Sequence, residues 1–182
     1  MEEVKNTTPP IFAGALNNKS FVIKFLIFSL VFWILEFAYQ FYFLIPGELQ
    51  GSLVRSFALA GATFIGLALL SSALFIWKPR FAQYWYIRRS LGLMGFVFTI
   101  FHVLSVLTFL FQWDVLALFW SINPFVNPLI FGILAIPIFF LMFVTSTDWA
   151  LMKLGYRTWK TIHRLVYLGY LSMVMHFLTI NT

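Results

Sequence analysis

Long apolar stretches separated by short polar breaks occupy almost the whole chain. Each stretch approaches the 20 or so apolar residues that an α-helix needs to cross the hydrocarbon core of a bilayer. The stretches are continuously apolar rather than alternating, which argues against the strands of a membrane β-barrel. Five of these segments are predicted to be helices, at about residues 21–45, 53–77, 90–111, 126–146 and 158–179.

The breaks between the segments carry residues typical of turns. Pro46-Gly47 follows the first segment, Lys78-Pro79 follows the second, and Asn127-Pro128 opens the fourth. We find no internal repeat and no separate soluble domain. The predicted fold class is therefore an all-α integral membrane protein, with residues 21–182 forming a bundle of about five transmembrane helices.

Residues 1–20 differ from the rest of the chain. They open with Glu2 and Glu3, contain Pro9-Pro10 and lack the apolar region of a signal peptide. We expect them to form a cytoplasmic N-terminal tail.

The amino-acid composition is that of a membrane protein, and it excludes several kinds of redox centre. Of the 182 residues, 62% are hydrophobic and 10% are charged, whereas a soluble domain is nearer half apolar and a quarter charged. There is no cysteine, which excludes disulfides, thiolate-held iron–sulfur clusters and thioether-attached haem.

The net charge of +6 reflects an uneven distribution of basic residues between the two sides of the membrane. Only Arg55 of the 12 basic residues falls on the predicted outer side. The others are Lys5, Lys19, Lys24, Lys78, Arg80, Arg88, Arg89, Lys153, Arg157, Lys160 and Arg164. The positive-inside rule therefore places the N-terminus in the cytoplasm and the C-terminus in the periplasm of a bacterial inner membrane, and it explains the charge without nucleic acid.

The chain has only three histidines, and all of them lie in predicted membrane helices. His102 belongs to the third segment, and His163 and His176 belong to the fifth. Ionisable side chains are costly inside a bilayer, so each is a candidate functional residue. One reading is a non-redox scaffold in which the histidines make interhelical hydrogen bonds, and the other is ligation of haem iron.

Depth in the membrane favours His102 and His176 as a pair. His102 lies 13 residues beyond Arg89, which is roughly 20 Å of helix, and His176 lies 16 residues beyond Lys160, which is roughly 24 Å. Helical tilt absorbs the difference. Two imidazoles that face each other from separate helices suit a six-coordinate haem iron, so the sequence predicts haem b between the third and fifth segments.

His163 has no histidine at its own depth. It follows Lys160 by three residues, close to the cytoplasmic surface, where the third segment offers Arg88 or Arg89 instead. On an ideal continuous helix it would also point about 140° away from His176. One haem is expected; two haems, or FMN or a quinone near this side, remain alternatives.

Glu36 is a further ionisable residue inside a predicted helix. A buried carboxylate there suits a proton relay or a contact with a quinol. The alternative is a simple pairing with Gln40, one helical turn further on.

Two stretches of sequence resemble the ferric-reductase-like transmembrane family. The first is Arg88-Arg89-Ser90-Leu91-Gly92-Leu93 followed by His102. The second contains Thr145-Ser146-Thr147-Asp148, then Leu154-Gly155, Trp159, His163-Arg164-Leu165-Val166-Tyr167 and His176. The resemblance covers roughly residues 55–180. It implies that His102, His163 and His176 correspond to the family's three haem-associated histidines, and that electrons pass outward through b-type haem.

The resemblance also implies partners for electron transfer. The donor would be a cytoplasmic flavin reductase or the quinone pool, and the acceptor a periplasmic molybdopterin oxidoreductase that repairs oxidised methionine. No Gly-rich phosphate loop is present in this sequence, so the reductant must come from elsewhere. We therefore expect an electron-transfer subunit with no catalytic residues of its own.

The alternative function is a stand-alone transmembrane reductase of iron or another metal at the outer face. The predicted outer loops offer few ligands for a metal substrate, since besides Arg55 they carry only Glu48 and Asp114 and no histidine or cysteine.

The predicted orientation is testable with reporter fusions. Because all basic residues but one fall on one side, a reporter fused after Thr182 should show periplasmic activity. A reporter fused near Gln83 should show cytoplasmic activity. The reverse pattern would contradict outward electron transfer.

Overall fold

The computed structural model describes residues 19–180, apart from the side chain of Ala82, so the predicted tail at residues 1–20 lies almost wholly outside it. The described part contains helices and no strands. The α-helices are α1 (Lys19–Tyr39), α2 (Leu49–Trp77), α3 (Trp85–Phe109), α4 (Leu129–Thr145), α5 (Asp148–Leu154), α6 (Tyr156–His163) and α7 (Leu165–Ile180). A π-helical stretch, Gln40–Leu44, extends α1.

The first three predicted segments are confirmed as uninterrupted helices. Together with its π-helical extension, α1 has 26 residues, while α2 has 29 and α3 has 25. At 1.5 Å per residue these helices are roughly 38 to 44 Å long, which exceeds the hydrocarbon thickness of about 30 Å. The chain is a multi-pass membrane protein.

The fourth predicted segment corresponds to one helix, α4, and the chain bends sharply after it. The 17 residues of α4 are followed by α5, which bends away by 92°, so the described residues contain three spans, or four if this pair is one span. The fifth segment is divided at Arg164 into α6 and α7. With 16 residues, α7 is only about 24 Å long. The fifth segment, predicted as one helix at about 158–179, is thus interrupted at a single residue, Arg164, whose φ of −70° and ψ of −23° are still helical.

Glycines allow α2 and α3 to pack with their backbones close together. A Cβ atom added at Gly95 would lie 2.6 Å from Ile65 Cγ1 and 2.9 Å from the Ile65 backbone nitrogen. One added at Gly61 would lie 2.9 Å from Thr99 Oγ1. Small residues at such crossings let membrane helices gain van der Waals contact, which drives their association where lipid offers no hydrophobic force.

A second pair, α4 and α7, packs against the first at the centre of the bundle. Ile65, Phe96, Ala135 and Phe139 form a buried cluster that joins α2 and α3 to α4. Tyr170 and Met173 of α7 complete it. This apolar layer separates the two ends of the bundle, and both ends carry polar side chains.

Helix α1 packs on the outside of α2 through aromatic side chains. Phe25 and Phe32 contact the buried Phe64, and Trp33 stacks on Phe57 with ring centroids 4.8 Å apart. Most of the remaining surface of α1 is apolar and exposed, as expected for a helix that faces lipid.

Replacing Gly95 should destabilise the bundle. The added side chain in Gly95→Val would displace Ile65 or separate α2 from α3, at a cost of about 1–3 kcal/mol, typical of overpacking. Gly92→Ala on the same helix is the control, because a Cβ there has nothing within 4 Å. Thermal unfolding in detergent should show a lower midpoint for Gly95→Val only. Equal midpoints would contradict the close crossing.

Candidate functional site

His102 and His176 lie together at one end of the bundle. Their ring centroids are 6.4 Å apart and their planes make an angle of 63°. His102 belongs to the last turns of α3, and His176 to the last turns of α7. The prediction that these two side chains face each other at one depth agrees with this arrangement.

A backbone carbonyl fixes the orientation of each ring. His102 Nδ1 lies 3.0 Å from the carbonyl oxygen of Val54, and His176 Nδ1 lies 2.9 Å from that of Pro128. A carbonyl can only accept a hydrogen bond, so each Nδ1 carries the proton and donates it. In the neutral ring the lone pair is then on Nε2, which is the arrangement found in histidines that bind metals.

The spacing of the two rings suits a shared metal ion. Imidazole nitrogens bind metals at about 2 Å, so two imidazoles on opposite sides of one ion have their centroids about 6 Å apart. Gly132 of α4 leaves room for this geometry, because a Cβ there would already touch His176 Nδ1 at 3.4 Å. The donor set therefore fits a bis-histidine haem iron.

The opposite end of the bundle, called here the basic end, contains a cavity of about 110 Å³. Arg88, Arg89 and Trp85 line it from the start of α3, and Trp159 and His163 line it from α6. Gly92 widens it, since a Cβ at this position would point into open space. A cavity of this size holds several water molecules.

His163 is held in this cavity by two contacts. Its Nε2 lies 3.0 Å from Thr145 Oγ1, and its ring stacks on Trp159 with centroids 4.0 Å apart. The Thr145 hydroxyl donates its only proton to the Leu141 carbonyl at 2.7 Å, so it accepts from His163 Nε2–H. The lone pair of the neutral His163 ring is therefore on Nδ1.

Trp159 is fixed in turn by α4. Its Nε1–H donates a hydrogen bond to the Thr145 carbonyl oxygen at 2.8 Å. Thr145 therefore positions both rings, through its carbonyl and its hydroxyl. The sequence contains no fourth histidine, so a second bis-histidine site in this cavity does not fit the residues present.

An ion pair closes the cavity on one side. Arg89 Nη1 lies 3.0 Å from Asp148 Oδ1, and both side chains are partly buried. Arg88 lies over the ring of Trp85 at 4.6 Å. The ion pair between Arg89 and Asp148 joins the start of α3 to the start of α5, so it holds α5 against the bundle.

The structure separates the three predicted site residues into two places. His102 and His176 share one place. His163 lies in the other, in the cavity lined by Arg88 and Arg89, which were the residues expected at its depth in the membrane. The interruption at Arg164 lies between His163 in α6 and His176 in α7. Glu36 accepts a hydrogen bond from Gln40 Nε2 at 2.9 Å, which agrees with the simple pairing.

Sequence reasoning did not assign roles to Thr145, Trp159 or Asp148. All three fall in the stretch that carried the family resemblance, but nothing in their spacing shows that they contact His163 or Arg89. Within residues 19–180 the structure has no cluster of three or more histidine, cysteine, aspartate or glutamate side chains that would hold a metal ion without a porphyrin.

Comparison with known proteins identifies the family. The family model described as ferric reductase like transmembrane component matches residues 55–174, which is more than half of the chain. The chain belongs to this family. The matched region runs from α2 into α7 and includes His102 and His163, while His176 lies two residues beyond its end.

Curated relatives are about 30% identical to this chain over the residues that align. One is the protein-methionine-sulfoxide reductase heme-binding subunit MsrQ of Caulobacter vibrioides, with 30% identity over 106 residues, covering 57% of this chain and 48% of the relative. MsrQ of Brucella ovis is 29% identical over 93 residues, covering 50% of this chain and 40% of the relative. The chain thus spans about half the length of these relatives. No solved structure matches it.

Proposed function

We propose that the protein is a membrane electron-transfer subunit that binds haem b between α3 and α7 through His102 and His176. The observation that carries this proposal is the pair of imidazole rings 6.4 Å apart, each with Nδ1 bonded to a carbonyl. Membership of the family and the names of the MsrQ relatives, which are called heme-binding subunits, support it.

The residues of the chain prepare the two ligands. The carbonyls of Val54 and Pro128 hold each ring in the tautomer that leaves the Nε2 lone pair for iron. Bound haem supplies a one-electron carrier whose iron alternates between the ferric and ferrous states. The apolar layer around Ile65, Phe96 and Phe139 excludes water between this site and the basic end. Electrons therefore cross to the haem through packed apolar side chains and not along a chain of water molecules.

Electrons enter at the basic end in this proposal. The cavity there is lined by Arg88 and Arg89, which attract an anionic donor, and by Trp159, whose flat face suits a ring system. A cytoplasmic flavin, FMN included, or a quinol fits this description. The orientation given by the basic residues makes the direction of transfer outward.

The acceptor in this proposal is a periplasmic oxidoreductase. The relatives are named as subunits of a protein-methionine-sulfoxide reductase, and this supports a molybdopterin oxidoreductase of that kind as the partner. His176 lies near the outer end of α7, four residues before its last residue, so the haem would be close to the outer surface.

Removing either proposed ligand should remove the haem. His102→Ala and His176→Ala should each abolish the low-spin b-type absorption spectrum of the purified protein, because a six-coordinate iron needs both nitrogens. Added imidazole should restore part of the spectrum by occupying the vacated position. A size-exclusion profile like that of the unmodified protein shows that the variants are folded.

His163→Ala is the matched control for this experiment, since it removes a histidine at the other end of the bundle. Full haem content in His102→Ala or His176→Ala would show that they are not the axial pair. A haem-free, folded unmodified protein would contradict the proposed function itself.

His163 should affect how fast the haem is reduced. His163→Ala removes the ring that Thr145 and Trp159 hold in the cavity, where we propose that electrons enter. The variant should keep the spectrum of the outer haem but slow its reduction by a flavin or quinol donor, because the cavity in which the donor binds loses one of its walls. Stopped-flow absorbance measures the rate.

Thr161→Ala, an exposed change on the same helix, should leave the reduction rate unaltered. The haem-to-protein ratio of the unmodified chain decides between the alternatives for His163. A ratio of one agrees with an entry site, and a ratio of two makes His163 a ligand of a second haem. An unchanged reduction rate in His163→Ala would exclude the entry site.

A further inference from the structure

The two short helices at the basic end, residues 148–163, form a bent segment that we call the elbow. Helix α5 leaves the end of α4 at 92°, so it runs across the bundle rather than along it. The Thr147 side chain caps α5 by accepting a hydrogen bond from Ala150 N at 3.1 Å. Gly155, with φ of +74°, separates α5 from α6. The elbow therefore lies where the bundle meets the membrane surface.

The elbow has distinct inner and outer faces. On the inner face Ala150 is buried, and Trp159 and His163 line the cavity. The outer face of α5 exposes Trp149 and Met152, which are 64% and 77% accessible. Three basic side chains and one further aromatic are also exposed: Lys153, Arg157, Lys160 and Tyr156.

Cations and aromatic rings are paired on the outer face. Lys153 Nζ lies 4.8 Å from the ring of Trp149, and Lys160 Nζ lies 5.5 Å from the ring of Tyr156. Tryptophan and tyrosine prefer the headgroup level of a bilayer, and helices that lie in this region combine such residues with lysine and arginine.

No free acidic side chain of the elbow balances its positive charge. Asp148 is its only acidic residue, and that carboxylate is engaged by Arg89 at 3.0 Å. The outer face therefore presents Lys153, Arg157 and Lys160 without an acidic residue of its own. Lysine and arginine near a membrane surface attract anionic lipid.

We propose that the outer face of the elbow is a binding site for the headgroups of anionic phospholipids. Lys153, Arg157 and Lys160 contact the phosphates, while Trp149 and Met152 enter the boundary between headgroups and acyl chains. The exposed apolar side chains favour lipid over an acidic protein partner, because they gain by leaving water for the acyl boundary. Bound lipid also steadies α6, whose inner face forms one wall of the cavity.

The test compares two variants that lose the same charge in different places. Lys153→Gln combined with Lys160→Gln removes two elbow cations, and Lys78→Gln combined with Arg80→Gln removes two from the loop before α3. The pairs are matched, because Lys78 lies over Trp77 at 4.4 Å and Arg80 over Phe81 at 5.0 Å, just as the elbow lysines lie over aromatic rings.

Phosphatidylglycerol is the probe, and phosphatidylcholine is the neutral comparison. After exchange into mixed-lipid nanodiscs, native mass spectrometry of the full chain counts the lipid molecules retained. The unmodified protein and the loop variant should retain phosphatidylglycerol preferentially, whereas the elbow variant should bind it about tenfold more weakly. Absence of a preference in the unmodified protein, or equal weakening in both variants, would overturn the proposal.

A single probe on the outer face gives an independent result. The chain has no cysteine, so Met152→Cys provides one position for a polarity-sensitive bimane label. The label should report an apolar setting and be quenched by brominated phospholipid, more strongly when phosphatidylglycerol is present. A label that stays in water in both lipids, and is shielded only when an acidic electron donor is added, would identify a protein-docking face and overturn lipid binding.

Discussion

The hydrogen bonds from two imidazoles to two backbone carbonyls are the constraint on which the candidate haem site depends. A bilayer has no water to satisfy a polar nitrogen, so each Nδ1–H must find a partner within the protein. The carbonyls of Val54 and Pro128 supply these partners. Because each carbonyl belongs to a neighbouring helix, the bonds also connect α3 to α2 and α7 to the start of α4.

These hydrogen bonds form because the helices of each pair pack closely enough to bring the imidazole and the carbonyl within hydrogen-bond distance. Between α2 and α3, Gly61 and Gly95 bring the backbones together, which places the Val54 carbonyl within reach of His102. A glycine, Gly132, also lies beside His176, where a Cβ would be 3.4 Å from Nδ1. The geometry of the candidate haem site thus depends on glycines, and a hydropathy profile does not distinguish these glycines from their neighbours.

The sequence predicted the apolar segments and the depth of the histidines because both depend on distance along a helix and on the cost of polar groups in lipid. It did not predict the interruption at Arg164 or the 92° bend after α4. Hydropathy measures how favourably a segment moves from water into lipid, and it carries no information on the direction of the helix axis. The bend lies just before the Thr147 cap of α5, and Gly155, with φ of +74°, then separates α5 from α6; both features become visible only with the backbone.

The partners of His163 could not be predicted for a related reason. Thr145 precedes the bend and Trp159 follows it, so only the folded elbow brings them to one ring. The sequence showed that no histidine was available at this depth, and that part of the prediction agrees with the structure. It did not show that the Nε2 atom of His163 was already engaged.

The interruption at Arg164 lies between the two histidines of the fifth segment. The backbone of Arg164 stays in the right-handed helical region, with φ of −70° and ψ of −23°, so α7 continues from α6 in nearly the same helical phase. Along such a helix, every residue inserted or deleted turns all later side chains by about 100°. A change of length between His163 and His176 would therefore turn one of the two imidazoles away from its partners, so the spacing of these histidines along the chain is constrained although they serve opposite ends of the bundle.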